Sequence, residues 1–155
     1  MSTPTQPPGA RCRECGAPSA DGMTCWEMLG ALIAWEYSDP ELQAEHFLTV
    51  ASYNLQYPAQ FTDAALAGLR AAFVDHLDRG VAVAELRRRV GRLAAGPARV
   101  LRPEAERRPV LRAWSTTIAD VYLPGQPSGA AGRVRAWAAA LRRELEHTPA
   151  AGQAP

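Results

Sequence analysis

Residues 24–58, TCWEMLGALIAWEYSDPELQAEHFLTVASYNLQYP, predict two consecutive helices joined by a tight turn. Thr24 followed by Glu27 matches the capping box that begins a helix, and apolar residues then recur at helical spacing. A Ser-Asp-Pro turn at 38–40 follows, and its proline fits the first turn of the next helix. That second helix is predicted over residues 40–57, because the proline at position 58 disfavours helical backbone before it.

Three further helices are predicted downstream. Thr62 begins the third helix and Gly80 ends it, since threonine is a common N-cap and glycine accepts the left-handed backbone of a helix end. The fourth helix is predicted to turn four apolar residues inward: Val83, Leu86, Val90 and Leu93. The fifth helix, after residue 127, carries one apolar face: Val134, Trp137, Ala138, Leu141 and Leu145.

The segment that precedes the fifth helix is predicted to be non-helical. Pro97, Pro103 and Pro109 forbid a continuous helix over residues 96–109. Residues 114–122 are rich in residues that favour strands, which predicts a short strand or an ordered loop. The whole pattern predicts a mainly α fold of about five helices in a compact bundle, preceded by an N-terminal metal-knuckle loop.

The length of 155 residues suits one compact domain. The predicted organisation is a disordered tail over 1–10, a single helical domain over 11–147 with a zinc knuckle at 11–25, and a disordered tail over 148–155. The longest apolar run is far shorter than the roughly 20 residues that cross a bilayer. The first ten residues are polar and proline-rich, unlike an export signal, so we expect a cytoplasmic protein without a membrane segment.

Charge is unevenly distributed although the net charge is only +1. Residues 14–78 hold ten acidic residues and one arginine, whereas residues 79–112 hold ten arginines and three glutamates. The two halves either complement each other within the fold or leave a basic face for an anionic partner. The first interpretation is favoured, because no recognised nucleic-acid fold pattern accompanies the arginines.

All 17 basic residues are arginine. The absence of lysine excludes Schiff-base lysine chemistry and the phosphate-binding Gly-Lys-Ser/Thr loop. The sequence also contains neither a His-Glu-x-x-His motif nor a nucleophile elbow.

Three cysteines lie within the first 25 residues, an odd number that does not suit a disulfide framework. Cys12-x-x-Cys15 followed by Gly16 suits a tetrahedral ion, because glycine tolerates the positive φ of the knuckle. Cys25 follows in the first turn of the first helix, where the helix dipole favours a thiolate. Three soft ligands select zinc over magnesium or calcium. A thiol redox switch and inert thiols are the alternatives for these cysteines.

A fourth zinc ligand must be a histidine or a carboxylate, and the candidates are His46, His76, His147, Asp21 and Glu27. His46 is the preferred candidate, since it lies on the apolar face of the second helix, where an unpaired imidazole would be costly to bury. One geometric objection stands against it. In a regular hairpin about Ser38, Cys25 faces Ser52, which leaves His46 roughly 9 Å out of register.

These residues carry a resemblance to a known family. The matching features are Cys12-x-x-Cys15-Gly16-Ala17, Cys25, Glu36, Asp39-Pro40, His46-Phe47-Leu48-Thr49-Val50, Leu55-Gln56-Tyr57-Pro58, Thr117-Ile118-Ala119-Asp120-Val121 and Trp137-Ala138. The chain resembles an uncharacterised bacterial family of small proteins catalogued as a domain of unknown function. The resemblance implies metal-binding roles for Cys12, Cys15, Cys25 and His46. The family pattern has histidine at position 57 and often at 47, where this chain has Tyr57 and Phe47.

Two functions are compatible with such a site. The first is a structural Cys3His zinc site in a binding or regulatory module, with a protein as the expected kind of partner. The second is a zinc-dependent enzyme with an open metal position and Glu36 or Glu27 as general base. The structural site is favoured, because thiolate-rich zinc sites are commonly structural.

Overall fold

The computed structural model describes residues 9–95 and 99–147. Within these residues the fold is mainly α, and β pairing is limited to isolated bridges. The helices are α1 (Cys25–Trp35), α2 (Pro40–Ala44), α3 (His46–Leu55), α4 (Asp63–Arg79), α5 (Val83–Ala95), α6 (Ile118–Val121) and α7 (Ala130–Glu146). The mainly α prediction is confirmed. The predicted tails fall almost entirely outside the described residues.

The predicted helix boundaries arise from local capping. Thr24 and Glu27 form the expected capping box at the start of α1, with reciprocal side-chain to backbone hydrogen bonds. Thr62 accepts a hydrogen bond from the Ala65 amide at the start of α4. Gly80 ends that helix in the left-handed conformation, with φ of 65°. These ends were predictable because each depends on residues only a few positions apart.

Two predictions for the middle of the chain differ from the structure, the first throughout and the second in part. The helix predicted over 40–57 is divided at Glu45, whose ψ of 12° departs from helical geometry. Within residues 114–122 the structure has an ordered loop at 114–117 and the short helix α6 at Ile118–Val121, so the loop alternative holds for the first part and the strand does not form. There Thr117 and Asp120 make a capping box, so this local hydrogen bonding overrides the strand preference of the composition.

The core is formed where α7 packs on α2, α3 and α6. Trp137 is fully buried at its centre, and its indole N–H donates a 3.3 Å hydrogen bond to the buried side chain of Gln56. The Gln56 amide in turn donates to the Thr116 carbonyl at 2.8 Å. Gln56 therefore fixes the C-terminal end of α3 against α7 and the segment before α6, which makes it a structural hydrogen-bonding residue.

Ion pairs join the acidic part of the sequence to arginines later in the chain. Asp63 pairs with Arg102 and Asp75 with Arg89, two arginines of the basic part at 79–112. Asp78 pairs with Arg142 and Glu45 with Arg135, which lie beyond that part. The two parts therefore complement each other to a limited extent. Among the described residues, no helix is both long and apolar enough to span a membrane.

Candidate metal centre

The loop that precedes α1 forms a tight knuckle. The Gly16 amide donates to the Cys12 carbonyl at 3.0 Å, and the Cys12 amide donates to the Ala17 carbonyl at 2.8 Å. Gly16 has φ of +79°, a left-handed conformation that side chains rarely adopt. This reversal brings Cys12 and Cys15 to the same side of the loop.

Cys25 completes a compact group of three thiols. As the first residue of α1 it faces the knuckle, and the Sγ atoms of Cys12, Cys15 and Cys25 all lie within 4.8 Å of one another. The Cys15 and Cys25 sulfurs are 3.7 Å apart. Two thiolates bound to zinc at about 2.3 Å would lie roughly 3.8 Å apart at the tetrahedral angle. The spacing of this sulfur pair therefore fits a tetrahedral ion.

A phenol lies against the three sulfurs. Tyr57, just beyond the end of α3, places its Oη 3.2 Å from both Cys12 Sγ and Cys15 Sγ, and this hydroxyl also interacts with Cys25. The Tyr57 ring stacks on Tyr53 at 4.4 Å between centroids and is thereby held in place. The phenol oxygen therefore lies directly against the sulfurs of Cys12 and Cys15.

The three thiols and the phenol influence one another's ionisation. Hydrogen bonds from Cys15 and Cys25 hold the pKa of the Cys12 thiol far below its ordinary range. The pKa of Cys25 is strongly raised in return, first through its hydrogen bond to Cys12. Burial and the neighbouring sulfurs raise the pKa of Tyr57 as well. One thiolate is thus tolerated, whereas full ionisation of three adjacent sulfurs requires a positive charge among them.

The knuckle is anchored to a later part of the chain. The Cys15 carbonyl accepts from the Trp114 amide at 3.2 Å, and the Glu14 carbonyl accepts from the Arg112 amide at 3.0 Å. A Cβ added to Gly16 would lie 3.2 Å from the Ala113 Cα. Glycine is therefore required here both for its backbone conformation and for the close approach of this second segment.

One family model matches nearly the whole chain. The model of the family of unknown function DUF5946 matches residues 10–146, which include the entire knuckle and all seven described helices. The chain belongs to the DUF5946 family. Comparisons with curated proteins and with solved structures give no match.

In this DUF5946 member His46 does not join the three cysteines. Its Nδ1 lies 2.8 Å from Glu36 Oε2, and the imidazole lines a groove on another face of α3. Glu36 is buried, so this pair explains why a carboxylate occupies an otherwise apolar helical face. The structure thus assembles Cys12, Cys15 and Cys25 as expected, but it places Tyr57 rather than His46 beside them.

The other candidate ligands also have separate roles. Glu27 caps α1, His76 Nδ1 interacts with the Val81 carbonyl at 2.8 Å, and His147 is the C-cap residue of α7. Asp21 lies in a turn with φ of 51°. Among the described residues, the group of potential protein ligands from histidine, cysteine and carboxylates is limited to the three thiols.

A small pocket of about 260 Å³ adjoins the centre on the outer side of Tyr57. Its walls include Trp26, Tyr53 and Glu14, together with the tyrosine itself. The three cysteines are not among the described residues that line it, and Cys15 is completely buried. Tyr57 is therefore the member of the cluster that borders this pocket.

Proposed function

We propose that this chain binds one zinc ion through the thiolates of Cys12, Cys15 and Cys25, with the Tyr57 oxygen as the fourth group. The single observation that carries the proposal is the convergence of three thiols within 4.8 Å, two of them 3.7 Å apart. Soft sulfur ligands in a tetrahedral arrangement are typical of zinc sites.

We assign the ion a structural role. It would join the knuckle and the start of α1 to the end of α3, where Tyr57 lies 42 residues after Cys15. Tyr57 at the fourth position supports a closed site, because a catalytic zinc keeps that position open for water. The helical body would then serve as a binding or regulatory module whose partner is a protein.

The two glutamates that were candidates for a general base, Glu27 and Glu36, do not support the enzyme alternative. Glu27 Oε2 accepts a 2.8 Å hydrogen bond from the Thr24 amide, and Glu36 is engaged by His46. Both carboxylates thus have structural partners away from the sulfurs.

The first experiment is native mass spectrometry of the full-length protein with zinc supplied during expression. We expect one zinc ion per chain in the wild type and none in Cys25→Ser. His46→Gln is the discriminating control, because it should retain zinc if Tyr57 is the fourth group. A wild type without zinc would refute the proposal and bring forward a redox role for the thiols, whereas loss of zinc in His46→Gln would restore the Cys3His assignment.

Cobalt substitution tests whether the site is closed. The Co²⁺-loaded protein should have the absorption spectrum of a tetrahedral, sulfur-rich centre, and added azide should leave it unchanged. In Tyr57→Phe the fourth position becomes accessible, so azide should alter the spectrum. An azide response in the wild type would contradict the structural assignment and favour an open, catalytic ion.

A further inference from the structure

A second feature of the fold, separate from the cysteines, is a groove of about 420 Å³ along the outer face of α3. The helix α5 packs on α4, and α4 also packs on α3, so the groove lies between α3 and α5 with α4 beside it. Its volume is within the range of small-molecule sites in proteins.

The groove walls are mostly apolar. The hydrophobic side chains that line it are Phe47, Val50, Leu69, Leu86 and Val90. Val90 was expected to face the core, but 41% of its surface is exposed. A side chain added at Gly91, which also lines the groove, would begin in open space, since nothing lies within 4 Å of an added Cβ. The helix α5 therefore presents part of its apolar face to this groove.

One arginine on the groove differs from its neighbours on α5. Arg88 and Arg89 pair with the carboxylate of Glu85, and Arg89 also pairs with Asp75. Arg87 lines the groove and has no hydrogen bond or ion pair to any residue in the described parts of the chain. Its guanidinium thus leaves an uncompensated positive charge beside an apolar surface.

His46 provides a second polar group on the groove wall. Its Nδ1 contacts both carboxylate oxygens of the buried Glu36, at 2.8 and 3.0 Å, so the ring is held in one orientation. Such a carboxylate favours the tautomer with its proton on Nδ1, which makes Nε2 of the neutral ring a hydrogen-bond acceptor. The groove therefore combines an apolar wall with one arginine, one oriented imidazole and the amide side chain of Asn54.

We propose that this groove binds a small carboxylic acid with a linear apolar chain. The chain would lie against the apolar wall, and Arg87 would bind the carboxylate. The combination of an apolar wall with few polar groups is typical of ligand sites, and the guanidinium fork matches a carboxylate. This proposal is independent of the zinc site.

The test is a titration of the full-length, zinc-supplemented protein with sodium octanoate, followed by amide NMR spectra. We expect saturable shifts on α3 and α5 with a Kd of about 1 mM or below. The neutral probe 1-octanol has the same chain length and should bind about fivefold more weakly, because it lacks the charge-assisted hydrogen bonds to Arg87.

Three variants separate the contributions of charge and of space. Arg87→Gln should remove the preference for octanoate over octanol, and Arg88→Gln, the matched control on the same helix, should preserve it. Gly91→Leu should abolish binding of both probes by filling the groove, with circular dichroism to verify folding. The proposal is overturned if wild type binds the two probes equally, if Arg87→Gln keeps the preference, or if the shifts fall outside the groove or report a second copy of the chain covering it.

Discussion

The substitution Gly16→Ala tests the knuckle most directly. Gly16 has φ of +79°, and left-handed backbone costs an L-residue about 1–2 kcal/mol. The new Cβ would also lie 3.2 Å from the Ala113 Cα, in a segment tied to the knuckle by backbone hydrogen bonds, so crowding adds about 1–2 kcal/mol. We expect the free energy of unfolding to fall by about 2–4 kcal/mol, measured by urea unfolding of the zinc-loaded protein.

Gly22→Ala is the matched control within the same loop. Its φ of +70° imposes a similar backbone cost, but nothing lies within 4 Å of the added Cβ. The loss of unfolded-state freedom on replacing glycine is common to both variants and cancels in the comparison. Gly16→Ala should therefore be less stable than Gly22→Ala by about 1 kcal/mol or more. Equal stability of the two variants would refute the argument that Ala113 constrains the knuckle.

Further predictions concern the core, the zinc ligands and an ion pair. Gln56→Leu should lower the free energy of unfolding by about 2–5 kcal/mol, because it leaves the Trp137 indole and the Thr116 carbonyl unpaired in the core. Denaturant titration measures this loss, and a loss below about 1 kcal/mol would contradict the prediction. Tyr57→His should tighten zinc binding in chelator competition, because imidazole is a commoner zinc ligand than phenol, and weaker binding than in wild type would argue against a ligand at this position. Arg142 lowers the pKa of Asp78 through its hydrogen bond, so the folded carboxyl titrates below the unfolded one; the pair contributes stability above about pH 4 that is lost on further acidification. Arg142→Gln should reduce this pH dependence in thermal unfolding, and an unchanged profile would contradict it.

Local signals in the sequence predicted much of the fold. Capping at Thr24 and Thr62 and the glycine stop at Gly80 depend on hydrogen bonds within a few residues, so they could be read without tertiary information. The division of the second helix at Glu45 left no such signal. Val90 occupies an apolar helical position, but its exposure depends on how closely α5 approaches α3, which is a tertiary property.

The residue that lies beside Cys25, whether His46 or Tyr57, depends on which residue is at the midpoint of the turn between α1 and α3. A regular turn about Ser38 would oppose Cys25 to Ser52. In the structure a 3₁₀ turn at Glu36–Ser38 and the separate helix α2 lengthen the connection. Glu36 then contacts His46, and Cys25 contacts Tyr57. Residue 41 is the midpoint in sequence of both pairs. Opposite positions move twice as far as the midpoint of the turn. A shift of the midpoint by about two to three residues therefore places Tyr57 rather than Ser52 opposite Cys25. Three thiols could be recognised from spacing alone, whereas the side chain that lies beside them depends on the length of a turn that local capping signals do not determine.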